Sequence, residues 1–246
     1  MSHQITLHHL NVSRSDRLFW LLEETKLPYN VKVHFRLPTR QAPPSLHAVS
    51  PLGRAPTLEL DGKTLTESAF IIHQILSLPE VIKGAEDGSL DIQVEETEDG
   101  VFWSHFAEGS MMNLFQASAI IGATGQGWKI GAVGGLDEAG KEAVGKYSQW
   151  LTEGYLRPQI QGTIDLAESF LTKQGKQWFS GTDKPGEGDF MMFFAINSLL
   201  AGSRKDSGFN VGPGLKGWYE RVLARPAAKK GLERLKQEEE SAKSKI

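Results

Sequence analysis

The chain has 246 residues, enough for one large domain or two small ones, and either division leaves room for a sizeable core. Hydrophobic residues make up 39% and charged residues 23%, which are ordinary values for a soluble globular protein. The net charge of −3 is spread along the chain, which excludes a basic surface for nucleic acid. No apolar run approaches the roughly 20 residues that a membrane-spanning helix needs.

The sequence contains no cysteine. Disulfides, thiolate metal sites and every mechanism in which the protein supplies a sulfur nucleophile are therefore excluded. Thiol chemistry in this protein would need a thiol from a small molecule. The first residues lack a signal-peptide pattern, so we expect a cytoplasmic location.

Strand and helix periodicities alternate in the first eighty residues. The Asp61-Gly62 pair between two apolar runs is a strong signal for a two-residue hairpin turn. In chain order the pattern predicts a strand over 5–10, a helix over 14–26 capped by Ser13, a strand over 29–35, a short helix over 43–49, a hairpin over 56–66 and a helix over 67–78. This order gives a small mixed sheet with helices on its faces.

Beyond residue 93 the strand signals nearly vanish. Long helical patterns follow, with Pro158 expected to kink or interrupt one of them. Six glycines over 122–135 predict a mobile connection, and the charged tail from about Lys236 is expected to fray. We therefore predict an α/β N-terminal domain (βαβαββα) over 1–80, a linker over 81–92 and an all-α C-terminal domain over 93–246.

Pro56 begins a predicted strand in the segment Arg54-Ala55-Pro56. The residue before a proline is extended, and about one X–Pro bond in twenty is cis in folded proteins. A cis bond here would turn the N–H and C=O of Ala55 outward, where they can pair with an extended peptide as with an added strand. An edge-strand proline without a ligand is the alternative.

Glu67 and Ser68 open the next predicted helix. Backbone N–H groups and a hydroxyl at a helix start suit a carboxylate, and the Glu67 carboxylate suits an amino group. A ligand with adjacent ammonium and carboxylate groups, such as a γ-glutamyl group, would satisfy both residues. The alternative is a plain helix start, in which these residues only cap the helix.

Ser13 lies just after the first strand, at the start of the first helix. A hydroxyl and free N–H groups at a helix N-terminus stabilise negative charge, such as that of a bound thiolate. Asn11 and Ser15 are placed to fill the same role, and serine is also a common helix cap without any ligand. His8 and His9 are adjacent on a strand, so they point to opposite faces, and the sequence predicts no metal site.

These residues, in this order, resemble the glutathione transferase family over nearly the whole chain. The segments that carry the resemblance are Ser13-Arg14-Ser15-Asp16-Arg17, Leu21-Leu22-Glu23-Glu24, Pro51-Leu52-Gly53-Arg54-Ala55-Pro56, Leu65-Thr66-Glu67-Ser68 and Glu108-Gly109-Ser110-Met111. They are similar to the catalytic loop and first helix of serine-type members, the cis-proline segment, the γ-glutamyl-binding segment and a segment of fungal members.

The resemblance implies a thioredoxin-like N-terminal domain, a helical C-terminal domain, a homodimer and glutathione as co-substrate. It also implies that Ser13 activates the glutathione sulfur for conjugation to hydrophobic electrophiles, a detoxifying reaction. The electrophile pocket is expected between the domains, and the candidate side chains are Phe102, Trp103, Phe106, Met111, Met112 and Phe115. A non-catalytic ligand-binding or regulatory relative stays open, as does a peroxidase or ether-cleaving enzyme that uses glutathione.

Overall fold

A mixed four-stranded sheet forms the centre of the N-terminal region in the computed structural model, which describes residues 3–126 and 136–245. Its strands are β1 (Ile5–Leu10), β2 (Asn30–His34), β3 (Thr57–Leu60) and β4 (Lys63–Thr66), in the order β2-β1-β3-β4. β1 and β2 are parallel, whereas β3 runs antiparallel to both β1 and β4. Asp61 and Gly62 both have positive φ, at 49° and 80°, as a two-residue hairpin turn requires.

Three helices alternate with these strands and confirm the predicted order. They are α1 (Asp16–Thr25), α2 (Pro44–His47) and α3 (Ser68–Leu76). The prediction that Ser13 caps the first helix is wrong, because α1 begins at Asp16 with Ser15 at the N-cap position. Ser13 instead lies in the turn between β1 and α1.

A further helix, α4 (Pro79–Glu86), occupies much of the segment predicted as a linker. Proline at its first turn costs no hydrogen bond there, which explains why a helix can start at Pro79. The connection between the sheet region and the later helices is therefore partly helical, and the predicted domain limits at 80 and 93 stay predictions.

The remaining secondary-structure elements of the described chain are helices joined by loops. Its helices are α5 (Glu98–Phe106), α6 (Asn113–Gly125), α7 (Glu138–Leu151), α8 (Arg157–Lys173), α9 (Glu187–Leu200), α10 (Pro213–Ala224) and α11 (Pro226–Lys243). π-helical segments join α5 to α6 (Ala107–Met112) and α7 to α8 (Thr152–Leu156). The second lies directly before Pro158, where the interruption was predicted. Of the predicted glycine-rich connection, 122–125 belong to α6 and 127–135 lie outside the described residues.

The prediction of a frayed C-terminal tail is wrong, because α11 continues to Lys243. It packs along α1, where Gly231 allows so close an approach that an added Cβ would lie 2.8 Å from the Phe19 carbonyl oxygen. Ala228, one turn earlier on the same helix, is fully buried. Tertiary packing therefore orders a helix whose own sequence, rich in charge, gives little sign of burial.

The sheet region and the helical region share one hydrophobic core. Trp20 of α1 packs against Phe190 and Phe193 of α9, with ring centroids 4.6 and 5.4 Å apart. Trp218 of α10 packs against Trp20 in the same cluster, with ring centroids 6.4 Å apart. Among the described residues, none of the helices has the length and apolar character needed to cross a membrane.

Candidate functional site

One edge of the sheet collects the predicted ligand-binding segments. β1 pairs with β3 so that His8 lies opposite Thr57, and Thr57 lies opposite Thr66 of β4. The end of β1, the start of β3 and the end of β4 therefore meet at this edge. The loop with Ser13, the pair Ala55-Pro56 and the pair Glu67-Ser68 each adjoin one of those strand ends.

The segment before β3 is fixed by its own hydrogen bonds. The Ala55–Pro56 peptide bond is cis. The Arg54 carbonyl accepts hydrogen bonds from the hydroxyls of Ser50 and Thr57, at 3.1 and 2.9 Å, and the Arg54 N–H donates to the Ser50 hydroxyl. The backbone around Ala55 is thus held in one conformation at the edge of the sheet.

Glu67 has an unusual backbone conformation. Its φ is 68° and its ψ 118°, in a region that residues with side chains rarely adopt. Strained backbone of this kind concentrates at functional sites, because the surrounding structure must hold it in place. Ser68, the first residue of α3, is buried directly behind it.

The three candidates for thiolate stabilisation have different surroundings. Asn11 accepts a hydrogen bond from the Arg36 N–H with its side-chain oxygen, at 2.7 Å, and so fastens the loop to the residues after β2. Ser15 is fully buried, whereas Ser13 is 6% exposed. The Ser13 and Ser15 hydroxyl oxygens are 2.6 Å apart.

A line of buried polar side chains continues inward from Ser13. Ser15 Oγ lies 2.6 Å from His9 Nδ1, and His9 Nε2 lies 3.0 Å from Glu239 Oε1 of α11. The hydrogen bond with His9 lowers the pKa of Glu239, which keeps its carboxylate ionised. Burial raises the pKa of Asp16, beside this line, to about 6, while the nearby His9 opposes that rise.

Arginines of α1 and its preceding turn join the two regions beside the site. Arg14 pairs with Glu108 of the first π-helical segment at 2.9 Å, and it donates to Gln116 of α6. Arg17 is fully buried and also pairs with Glu108. Burial lowers the pKa of Arg17, and Glu108 opposes that shift. The turn that carries Ser13 is therefore tied to the helical region.

The predicted pocket side chains lie mostly in the core. Trp103, Met111, Met112 and Phe115 are buried, Phe106 is partly buried and Phe102 is 51% exposed. Apolar residues at helical spacing serve packing as readily as ligand binding, so the sequence pattern does not separate the two uses. Their role in an electrophile pocket stays a prediction.

One group of possible metal ligands lies elsewhere among the described residues. Side-chain ligand atoms of His73, Glu96 and Glu187 all lie within 4.8 Å of one another at the junction of α3 with α5 and α9. Glu187 also accepts a hydrogen bond from Ser104, at 2.6 Å. The sequence-based prediction of no metal site stays a prediction.

Sequence reasoning missed His9, Glu239, Arg17 and Glu108 as neighbours of the site. The sequence presents His9 only as a possible metal ligand, and Glu239 belongs to the segment that is expected to fray. The rings of His8 and His9 do contact different partners, since His8 reaches His34 at 3.1 Å. The signal for His9 was a polar side chain on a strand that is otherwise buried.

Comparisons with known proteins show what this chain is similar to. Residues 13–76 match the family model described as glutathione S-transferase, N-terminal domain. Glutathione S-transferase 3 of Schizosaccharomyces pombe is 42% identical over 118 residues, which are 48% of this chain and 46% of that relative. The match thus spans about half the length of that curated relative.

Solved structures share the fold over most of the chain. A glutathione S-transferase from Actinobacillus pleuropneumoniae has a TM-score of 0.64 and 26% identity, covering 94% of this chain and 92% of that one. A glutathione S-transferase from Methylobacillus flagellatus, solved with glutathione bound, has a TM-score of 0.62 at 16% identity. The match covers 93% of this chain and 98% of that one. The fold is that of the two-domain proteins with a thioredoxin-like first domain. In the sequence of its first domain and in its overall fold, the chain is therefore similar to glutathione S-transferases.

Proposed function

We propose that this protein is a glutathione transferase that activates bound glutathione as its thiolate for attack on hydrophobic electrophiles. The observation that carries the proposal is the meeting of three elements at one sheet edge: the Ser13 turn, the Ala55-Pro56 segment and the strained Glu67 before α3. The names of the relatives and the glutathione bound to one fold neighbour support the same ligand.

In this proposal the tripeptide lies along the backbone of Ala55 as an added strand, beside Arg54 and Pro56. The γ-glutamyl carboxylate takes the Ser68 hydroxyl and the N–H groups at the start of α3, and the ammonium group takes the Glu67 carboxylate. In this placement the glutathione sulfur points toward the turn after β1, which carries Ser13. It also gives a reason for the strained backbone of Glu67, which directs its carboxylate to the ligand.

Ser13 is the donor to the thiolate in this proposal, rather than Asn11 or Ser15. The Asn11 side-chain oxygen is engaged with the Arg36 backbone, and Ser15 is fully buried behind Ser13. The positive charge of the neighbouring Arg14 adds to the stabilisation of an anion. A charge-assisted hydrogen bond and a nearby cation together account for a pKa about one to two units below the roughly 8.5 of a free thiol.

Two further parts of the proposal concern partners. The second substrate is a small hydrophobic electrophile, held where the Ser13 turn meets α6 through the Arg14–Gln116 contact. The protein is a homodimer in the cytoplasm, and exposed aromatic rings, Phe70 on α3 (47%) and Phe102 on α5 (51%), support a self-association surface. Sedimentation velocity measures the oligomeric state, and imaging of a tagged chain measures its location.

The test is an ultraviolet difference titration of the protein with glutathione across pH, following thiolate absorbance. We expect saturable thiolate well below pH 8.5, and about a tenfold loss of thiolate at pH 7 in Ser13→Ala. Ser77→Ala, an exposed serine at the end of α3, is the control and should leave the titration unchanged. Binding without thiolate would favour a non-catalytic binding protein, and product analysis with a hydroperoxide would identify a peroxidase. Absence of binding would refute the proposal.

A further inference from the structure

The polar line behind Ser13 is a continuous set of hydrogen bonds to three groups, Ser15, His9 and Glu239, that the proposed reaction does not otherwise use. It runs from Ser13 to Ser15 at 2.6 Å, to His9 at 2.6 Å and to Glu239 at 3.0 Å. His9 and Ser15 are fully buried, and the side chain of Glu239 is 20% exposed. A buried imidazole with a carboxylate on one nitrogen and a hydroxyl on the other is the arrangement that supports proton transfer in hydrolytic triads.

The direction of the protons follows from what each group can donate. An ionised Glu239 carboxylate only accepts, so His9 Nε2 carries the proton that it donates to Glu239. In neutral His9, Nδ1 is then an acceptor, and it takes the Ser15 O–H. The Ser15 oxygen in turn accepts the Ser13 O–H. With His9 neutral, every hydroxyl of the line therefore points inward, away from the glutathione sulfur.

We propose that His9 receives the thiol proton of bound glutathione through Ser13 and Ser15, and that Glu239 stabilises the resulting imidazolium. The inference rests on the proposed function. His9 touches no substrate atom, so it is a positioning residue that acts through the two serines. Once protonated, it donates from Nδ1 to Ser15, Ser15 donates to Ser13, and Ser13 then directs its O–H at the thiolate.

The transfer balances in protons and electrons. The S–H bond breaks with its electron pair left on sulfur, and the proton forms a new O–H bond on Ser13. Ser13 passes its former proton to Ser15, and Ser15 passes its own to His9 Nδ1. No oxidant or second reactant is needed. After the electrophile has reacted and the product has left, the proton returns along the same hydroxyls to water.

Two carboxylates face His9, and among the described residues no unscreened positive charge opposes them. Glu239 of α11 and Asp16 of α1 face it with carboxylates. From β2, His34 has a pKa lowered to about 4 by burial, then by His8 and His9, so it is neutral at pH 7 and adds no repulsion. Lys243 lies 3.9 Å from Glu239 but is 62% exposed, so water screens its effect.

The test counts protons released when glutathione binds. Calorimetry at pH 7.5 in two buffers of different ionisation enthalpy gives the protons released per site, and ultraviolet absorbance gives the thiolate formed. If the proton stays on His9, the wild-type protein releases close to zero protons per thiolate. In His9→Asn, the fraction of bound glutathione present as thiolate should fall about tenfold at pH 7. At higher pH, about one proton should be released for each thiolate that forms.

A second pair of variants covers the case in which His9→Asn fails to fold. Glu239→Gln removes the charge opposite His9 and should lower thiolate at pH 7 about tenfold. Glu240→Gln, on the exposed side of the same helix, should leave it unchanged. One proton released per thiolate in the wild type, or an unchanged thiol pKa in Glu239→Gln, would overturn the relay while leaving the transferase proposal standing. A wild type that does not bind glutathione overturns both.

Discussion

Asp189 offers the sharpest test of how the helical region is held together. Its buried carboxylate accepts four hydrogen bonds: from the N–H groups of Phe179, Ser180 and Gly186, and from the indole of Trp218, at 2.7–3.0 Å. The residue thus fixes the start of α9, the turn before it and α10 at once. Burial raises its pKa to about 6 against the effect of these bonds, so it is ionised at pH 7.5.

Asp189→Asn keeps the shape but replaces one acceptor oxygen by an N–H₂ group. Two of the four donors then lose their acceptor, and the new amide hydrogens face donors rather than acceptors. Each buried polar group left unpaired costs about 1–3 kcal/mol, and partial rearrangement reduces the sum. We expect the free energy of unfolding to fall by about 3–5 kcal/mol.

Urea unfolding at pH 7.5, followed by tryptophan fluorescence, measures this loss. Asp183→Asn is the matched control, because that side chain is exposed in the same turn and should change stability by less than about 0.5 kcal/mol. A loss below about 1 kcal/mol in Asp189→Asn would refute the assignment of Asp189 as the common acceptor.

Two further predictions concern α1. The pKa of Asp16 is about 6 in the folded protein, whereas its ordinary value, which applies to the unfolded chain, is 3.8. The folded state therefore binds the proton more tightly than the unfolded state does, so the free energy of unfolding falls as the pH rises from about 4 to 6. Asp16→Asn should therefore raise the free energy of unfolding by about 1–2 kcal/mol at pH 7.5 and leave it unchanged below pH 4. Thermal unfolding at the two pH values measures this difference, and an equal gain at both would contradict the reasoning. Gly231→Ala should destabilise by about 1–3 kcal/mol, because its Cβ meets the backbone of Phe19. Gly217→Ala on α10 has room and should stabilise slightly, so a similar loss in both variants would refute the steric argument.

The sequence by itself determined the elements whose signals are local. Asp61-Gly62 set the hairpin because its turn needs two residues with positive φ, and apolar periodicity set most helices of the second region. The spacing from Pro56 to Glu67 brought the two predicted binding segments together, since one hairpin places the outer ends of its two strands side by side. The order of elements and the fold class followed from these signals.

The tertiary structure decided the features that depend on residues far apart in the chain. His9 meets Glu239 across 230 positions, and Arg17 meets Glu108 across 91, so no local pattern announces either pair. The tail around Glu239 looked like a frayed end because it is rich in charge. It is ordered because Gly231 lets α11 lie directly on α1, a contact that exists only once the sheet and its first helix have formed.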